Sequence, residues 1–392
     1  MGNDVLKGTT AIVGLGATEF SKDSGPTEMQ LAVEAVKEAL DDAGIHPSEI
    51  DGMSSYTMDN NPEIEIFRLL GGKELKFFSR IHYGGGAACG PVLQAAMAVA
   101  TGVCEVVVVY RAMNERSGFR FGQGGLINTD PNSFETTHFN WYFPYGLQTP
   151  ASWVAMSAQR YMHEYGATTE DFGRVSVAGR DFAATNPKAW FYEQPISLQD
   201  HQNSHWIAEP LRLLDCCQES DGAVALVITS AERARDLKQK PALIKGAAQG
   251  AMDDPQMMTS FYRESITNLP EMGLVARQLY AMADLAPEDI QTAVIYDHFT
   301  PFVLSQLEEF GFCQRGEAKD FIRDGHIARG GKLPINTHGG QLGEAYIHGL
   351  NGVAEGVRQV RGTAVNQVDN VEHTLITAGA GVPTSGLILG TH

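Results

Sequence analysis

Three observations on this 392-residue chain predict an α/β fold built from two similar βαβαβ-type halves. Stretches with apolar residues at helical spacing alternate with short β-branched runs, which favours mixed layers over separate all-α and all-β blocks. One unit recurs. "QLAVEAVKEALDDAGIHPSEIDGMSSY" (Gln30 to Tyr56) and "GLVARQLYAMADLAPEDIQTAVIYDHF" (Gly273 to Phe299) share a helix, a Pro turn and a strand. Pro47 matches Pro287, Ile50 matches Ile290 and Tyr56 matches Tyr296, all at the same separation. Finally, each half contains a glycine-rich turn that opens a helix: "GGGAACGPVLQAAMAVATG" (Gly84 to Gly102) and "GGQLGEAYIHGLNGVAEG" (Gly339 to Gly356).

The elements follow in order. "TAIVGLGATEF" (Thr10 to Phe20) reads as the opening strand, and it lacks the third glycine of a dinucleotide-binding loop. A helix then runs to the Gly44 stop, and Pro47 turns the chain into the strand ending at Tyr56. The helix after Gly84 leads into "EVVVVYRA" (Glu105 to Ala112), a strand whose exposed edge would invite pairing. An insertion from about Ser117 to Leu214, rich in aromatics, Asn, Pro and His, reads as a lid or substrate-facing subdomain. Its "HFNWYFPYG" (His138 to Gly146) suits a broad apolar ligand or a protein interface. "QESDGAVALVITS" (Gln218 to Ser230) closes the first half, and "SAERARDLKQK" (Ser230 to Lys240) reads as a solvated helix face. The second half opens with "PALIKGAAQGA" (Pro241 to Ala251), the counterpart of the first strand, and ends with "HTLITAGAG" (His373 to Gly381). The expected domains are 1–235, with the insertion at about 117–214, and 236–392.

Composition narrows the function classes. A net charge of −18 repels a phosphate backbone, so nucleic acid is excluded as an expected partner. Apolar runs such as "VVVVY" are too short to span a bilayer, and the N-terminus does not resemble a secretory signal. The five cysteines form no CxxC pair, which suits a reducing compartment and a cytoplasmic location.

The duplicated halves, "QESDGAVALVITS" and "NTHGGQLGEAYIHG" (Asn336 to Gly349) resemble a thiolase over nearly the whole chain. That resemblance implies a thiolase-like fold and four positions to check: a nucleophilic cysteine at a helix start, a histidine in an NxxGGxxxxxHP loop, a late cysteine and an asparagine in an NEAF motif. Counting back from "ATG" (Ala100 to Gly102) puts Gly85 at the nucleophile position, with Cys89 one turn further on. The tenth residue after Asn336, where the family has histidine, is Tyr346. "YDHF" (Tyr296 to Phe299) puts Tyr296 at the asparagine, and "TAGAG" puts Thr377 at the late cysteine. All four chemical side chains are replaced while the loop-shaping glycines remain. Acyl transfer needs a thiolate beside a base, and glycine supplies neither.

"YDHF" with "GEAYIHG" instead resembles the lipid-transfer-protein-like steroid side-chain aldolases, non-thiolytic relatives of thiolases. The resemblance implies retro-aldol cleavage of a β-hydroxyacyl-CoA with its hydroxyl on a steroid ring carbon (17-hydroxy type), releasing a ketosteroid and propionyl-CoA. It also implies that Tyr296 and Tyr346 carry the proton transfers. A small OB-fold type partner would complete the substrate site, giving a heterotetramer on a homodimer core. No separate cofactor is implied, since coenzyme A is part of the substrate. Tyr346 is assigned as base on the ring hydroxyl and Tyr296 as acid on the enolate, and the roles are interchangeable at this stage.

A tyrosine near its ordinary pKa of about 10 is a ready acid, but forming its phenolate near pH 7 costs about 4 kcal/mol. Positive or hydrogen-bonding neighbours are therefore expected. His298 and His348 are candidates, with Asp297 and Glu344 orienting a histidine, while Asn336 and His338 shape the glycine loop. Gly85 and Gly86, together with Gly339, Gly340 and Gly381, are candidate oxyanion or substrate-binding positions, because backbone without Cβ permits close approach. Two other aldolase strategies do not fit. A Schiff base on Lys332 needs a ketone or aldehyde, whereas the electron sink here is a thioester. A zinc site from His338, His348 and Glu344 has no supporting ligand spacing. Two alternatives remain: a non-catalytic acyl-CoA or lipid carrier or scaffold subunit, and a thiolase using a relocated Cys89.

Overall fold

The structure is a computed structural model and describes residues 5–82, 84–118, 120, 122, 139–256, 258–379 and 384–391. The first half contributes β1 (Thr10–Ala17), β2 (Gly52–Tyr56), β3 (Phe77–Ile81), β4 (Val107–Asn114) and β7 (Asp221–Ser230). A two-stranded ribbon, β5 (Trp206–Ala208) and β6 (Leu211–Arg212), lies in the insertion. The second half contributes β8 (Ala242–Gly250), β9 (Thr292–Val294), β10 (His373–Ala378) and β11 (Thr384–Gly390).

The main strands run β3-β2-β4-β7-β1-β8-β11-β10-β9. This order contains the duplication. β2-β4-β7-β1 and β9-β10-β11-β8 have the same sequence of one parallel pair followed by two antiparallel pairs. The halves meet through β1 and β8, which pair only at Ala11–Leu243 and Ile12–Ala242. In the second half the place of β3 is taken by a bridge between Ile335 and Ala293, so the chain arrives at Asn336 along the sheet edge.

Helix α1 (Glu28–Ala43) starts in a Thr27/Gln30 capping box and ends at Gly44, whose φ of +73° suits glycine. Its buried stripe is mostly alanine, which brings it close to β1. A Cβ at Gly14 or Gly16 would lie 2.1 Å from an α1 carbonyl oxygen, so "VGLG" is a packing device. Alternation along β4 divides the core in two. A short helix α2 (Glu63–Leu69) follows β2; Val106, Val108 and Tyr110 pack with α1, while Val107 and Val109 face the opposite way with α3 (Gly90–Ala100). On that inner side α3 lies with the helix Leu350–Arg361, its counterpart, between residues of both half-sheets. The insertion's helices, α4 (Pro150–Tyr165) and α5 (Thr169–Ala183), pack on the outer face of the second half with helices Pro270–Ala283 and Thr300–Glu309.

One strand expectation is corrected. The "EVVVVY" strand is not an edge: β4 is held between β2 and β7, and β3 is the edge on the first-half side, with Phe78 56% exposed. A run of valines buried on both faces belongs inside the sheet. Among the described residues, no helix is long and apolar enough to cross a membrane.

Candidate active site

Tyr296 lies two residues beyond the end of β9, and its backbone is held by several side chains. Asn336, in the left-handed region at φ +51°, uses its amide to accept from Ile295 N and donate to Ile295 O, both at 2.9 Å. Tyr296 N donates to Thr377 Oγ1 at 2.9 Å, Gln306 Nε2 donates to Tyr296 O at 2.8 Å, and Thr377 Oγ1 donates to Gln306 Oε1 at 2.6 Å. The phenol reaches across to the other half. A Cβ at Gly85 would lie 1.8 Å from Tyr296 Oη, and one at Gly349 would lie 2.8 Å from Tyr296 Cε2. Glycine at the expected nucleophile position is thus the space into which the tyrosine fits.

Tyr346 comes from the matching glycine turn of the second half. Its backbone N–H donates to Ser220 Oγ at 3.0 Å, and its hydroxyl lies 3.4 Å from that of Tyr296. Two residues on, His348 is held at φ +50°, an uncommon conformation for a bulky side chain. Its ring centre is 5.1 Å from that of Tyr346, and its Nδ1 is 2.5 Å from Arg111 Nη2. His298 sits 4.8 Å from the Tyr296 ring, centre to centre.

These groups share the wall of one cavity of about 950 Å3. Gly85, Gly86, Tyr296, His298, Tyr346 and His348 line it, together with insertion residues Phe139, Trp153, Trp190, Phe191 and Ile207. Of the remaining candidates, Asp297 accepts from Gln341 N at 2.8 Å and fills the space a Cβ at Gly340 would need. Gly339 packs on Ala183. His338 and Glu344 lie behind the loop, their Nε2 and Oε2 atoms 3.8 Å apart, and Glu344 also binds Asn351 at 3.1 Å. Asn336, His338, Gly339, Gly340, Asp297 and Glu344 are therefore absent from the cavity wall and shape or support the loop from behind. Gly381 lies outside the described residues.

Several wall residues were not singled out by the sequence. Lys22 Nζ donates to Gln218 Oε1 at 2.9 Å and to Glu219 O at 2.5 Å. Glu115 is buried, and its Oε2 has no hydrogen-bond partner among the described residues. Cys217 donates its backbone N–H to His298 O at 2.8 Å. Gln306, Ser220 and Arg111 act from behind the wall. Ser220 falls within the "QESDGAVALVITS" segment, whereas no motif marks Gln306 or Arg111.

Electrostatics bear on how these groups could act. Burial holds both phenols well above the ordinary tyrosine pKa. The two histidines do not counter this as cations. Burial takes His298 down to about 3, and burial with the Arg111 charge takes His348 well below its usual value. Both rings are neutral near pH 7 because a desolvated cavity penalises every charged form. Desolvation likewise raises Glu115 to about 9 and lowers Lys22 to about 8. Behind the loop, burial raises Asp297 to about 6 and Glu344 to about 7, and lowers His338 to about 3. Cys89 is 0% exposed, is absent from the cavity wall, and its thiol is pushed far up by burial. It is poorly suited to act as a nucleophile. Among the described residues no cluster of His, Cys, Asp and Glu could hold a metal ion.

Comparison with known proteins agrees with this architecture. The thiolase C-terminal domain-like family model matches residues 255–390. The chain is 65% identical to a steroid side-chain-cleaving aldolase of Thermomonospora curvata, over 98% of this chain and 99% of the relative. It is also 65% identical to a 17-hydroxy-3-oxo-4-pregnene-20-carboxyl-CoA lyase of Mycobacterium tuberculosis, over 98% of this chain and 100% of the relative. A solved structure described as an Ltp2-ChsH2(DUF35) aldolase superposes with a TM-score of 0.95 at 64% identity, covering 99% of each chain. A thiolase-like fold in which Tyr296 fills the space beside Gly85 thus coincides with similarity over almost the full length, and the chain belongs to the thiolase-like family of steroid side-chain-cleaving aldolases.

Proposed function

We propose that the protein is a retro-aldol lyase that cleaves a β-hydroxyacyl-CoA side chain from a steroid ring carbon, releasing a ketosteroid and propionyl-CoA, with Tyr296 and Tyr346 moving the proton. One observation carries the assignment: two buried phenol oxygens 3.4 Å apart on the wall of a cavity large enough for the ring system and thioester. The 17-hydroxy substrate named for the M. tuberculosis relative has the required arrangement, a hydroxyl β to the thioester carbonyl.

Two adjacent neutral phenols can complete the proton circuit without a free phenolate. Tyr346 Oη takes the ring-hydroxyl proton as it passes its own to Tyr296 Oη, and Tyr296 delivers a proton to the α-carbon. The C–O–H oxygen becomes the ketone, the carbon–carbon bond pair passes through the thioester enolate to the new C–H bond, and both tyrosines end neutral. Raised phenol pKa values suit such a relay, because neither residue has to hold a negative charge. No separate cofactor enters; coenzyme A comes with the substrate.

The description of the solved aldolase, Ltp2-ChsH2(DUF35), supports a partner subunit; that it is a small OB-fold type protein, carried in two copies on a homodimer core, is inferred from the family resemblance alone. The test is to incubate the purified protein, with and without that subunit, with a panel of β-hydroxyacyl-CoA esters and follow ketone and acyl-CoA by mass spectrometry. Substrate retention without any product would favour a carrier. Free thiol consumption with acyl transfer would favour a thiolase.

A further inference from the structure

Arg111 lies in the middle of β4 with no exposed surface. Its Nη1 donates to the carbonyls of Tyr56 and Thr57, both at 3.1 Å, and its guanidinium carbon is 4.8 Å from the centre of the Tyr56 ring. Its Nη2 faces His348 Nδ1 at 2.5 Å, and its Nε has no partner among the described residues. Every acceptor is neutral. Asp59 and Glu115 are the carboxyls whose fields reach it, and burial pushes both toward the protonated form. A cation desolvated this thoroughly and matched only by neutral acceptors is costly unless another charge is to arrive.

The Arg111–His348 contact also fixes a proton. Guanidinium has five N–H donors, no acceptor, and does not lose its charge in proteins. The facing Nδ1 must supply the lone pair, so the ring proton is on Nε2. Tyr56 Oη holds the His348 backbone from the other side, donating to its carbonyl at 3.1 Å. The Nε2 side of the ring lies against the glycine turn: a Cβ on Gly84 would be 3.7 Å from Nε2, and one on Gly85 would be 3.2 Å from Cδ2. His348, Gly84 and Gly85 all line the cavity beside the two phenols.

We propose that His348 is the enolate-stabilising donor of the reaction, offering Nε2–H to the thioester carbonyl oxygen, and that Arg111 is the positioning residue that fixes this tautomer and supplies the opposing charge. The proposal rests on the retro-aldol reading above. As the carbon–carbon bond breaks, its electron pair moves onto the thioester oxygen. The Nε2–H hydrogen bond strengthens there without giving up its proton, and the pair returns to the α-carbon when that carbon is protonated. Such a donor is effective because it is oriented before charge develops. His348 cannot serve as base, since its one lone pair is already engaged. Burial first, and the Arg111 charge second, keep the imidazole neutral; among the described residues, Tyr56, Tyr346 and His298 are the other groups near the ring.

The test combines a spectrum and kinetics on the complete protein with its partner subunit. Nitrogen-15 labelling of histidine, with the His348 signals assigned by their loss in His348→Gln, should show a proton-free Nδ1 and a protonated Nε2 that do not titrate between about pH 6 and 9. His348→Ala should lower kcat by about 10²- to 10³-fold with KM little changed. His348→Gln, which retains an N–H donor, should recover part of the loss. Arg111→Lys should lower kcat and give His348 a mixed or titrating signal. A wild-type spectrum with the proton on Nδ1, or near-normal turnover by His348→Ala, overturns the proposal. The wild-type spectrum decides even if the Arg111 variant does not fold. Absence of turnover by the wild type on every ester would refute the lyase reading instead, with the tautomer still measurable.

Discussion

Replacing Gly85 with alanine tests the site with one methyl group. Gly85 does not adopt positive φ, so alanine is allowed by the backbone and the effect is steric. The new Cβ would lie 1.8 Å from Tyr296 Oη and 2.8 Å from its Cζ. An ordinary contact requires the oxygen to retreat by about 1.5 Å or more. The ring has little room to do so, because Gly349 already closes on its far edge and Thr377, Gln306 and Asn336 pin the adjoining backbone. Such a retreat would extend the 3.4 Å phenol–phenol contact beyond hydrogen-bond reach. Turnover should therefore fall by about 10²- to 10⁴-fold, the loss expected from removing a positioned acid or base. Overpacking should cost about 1–3 kcal/mol in urea unfolding. In Gly85→Ala/Tyr296→Phe the clashing oxygen is gone, so part of that stability should return with no further loss of rate, a non-additivity expected of groups in contact. Turnover of Gly85→Ala within about twofold of wild type, measured by ketone release, would refute the reasoning.

Other predictions use the same assays. Tyr296→Phe and Tyr346→Phe should each keep the fold and lose about 10²- to 10⁴-fold in kcat; slow solvent deuterium entry at the α-carbon after normal bond cleavage would identify the acid. Cys89→Ala should turn over normally, since the thiol is buried, off the cavity wall and poorly ionised. Glu115 is raised from 4.5 to about 9, so across that window the folded state holds a proton that the unfolded chain releases. Its contribution to stability is present below pH 4.5 and is lost as pH rises toward 9. The loss should approach about 1.4 kcal/mol per pH unit, and urea curves of Glu115→Gln should be flatter than wild type over that range. Parallel curves would refute the assignment. Monomeric mass by light scattering, alone and with the partner subunit, would refute the homodimer core.

The fold was legible in the sequence because its signals are local and repeated. The Gly44 stop, the Pro47 and Pro287 turns and the helical spacing of each half are set by neighbouring residues, and the duplication showed them twice. The placement of β4 was not local: four valines read alike at an edge or in the interior, and pairing with β2 and β7 decides. Likewise, Tyr296 and Tyr346 could be aligned by counting, but their 3.4 Å separation and the fit of Tyr296 against Gly85 come from bringing two halves together. Charge was the least legible property. Asp297, Glu344 and His338 share the motif with the tyrosines yet lie behind the wall, while Arg111, Glu115 and Lys22 reach the site from segments without a motif. Residue type fixes which protons a side chain can give or take; desolvation, set only by the packed structure, decided that the histidines are neutral and that the phenols keep theirs.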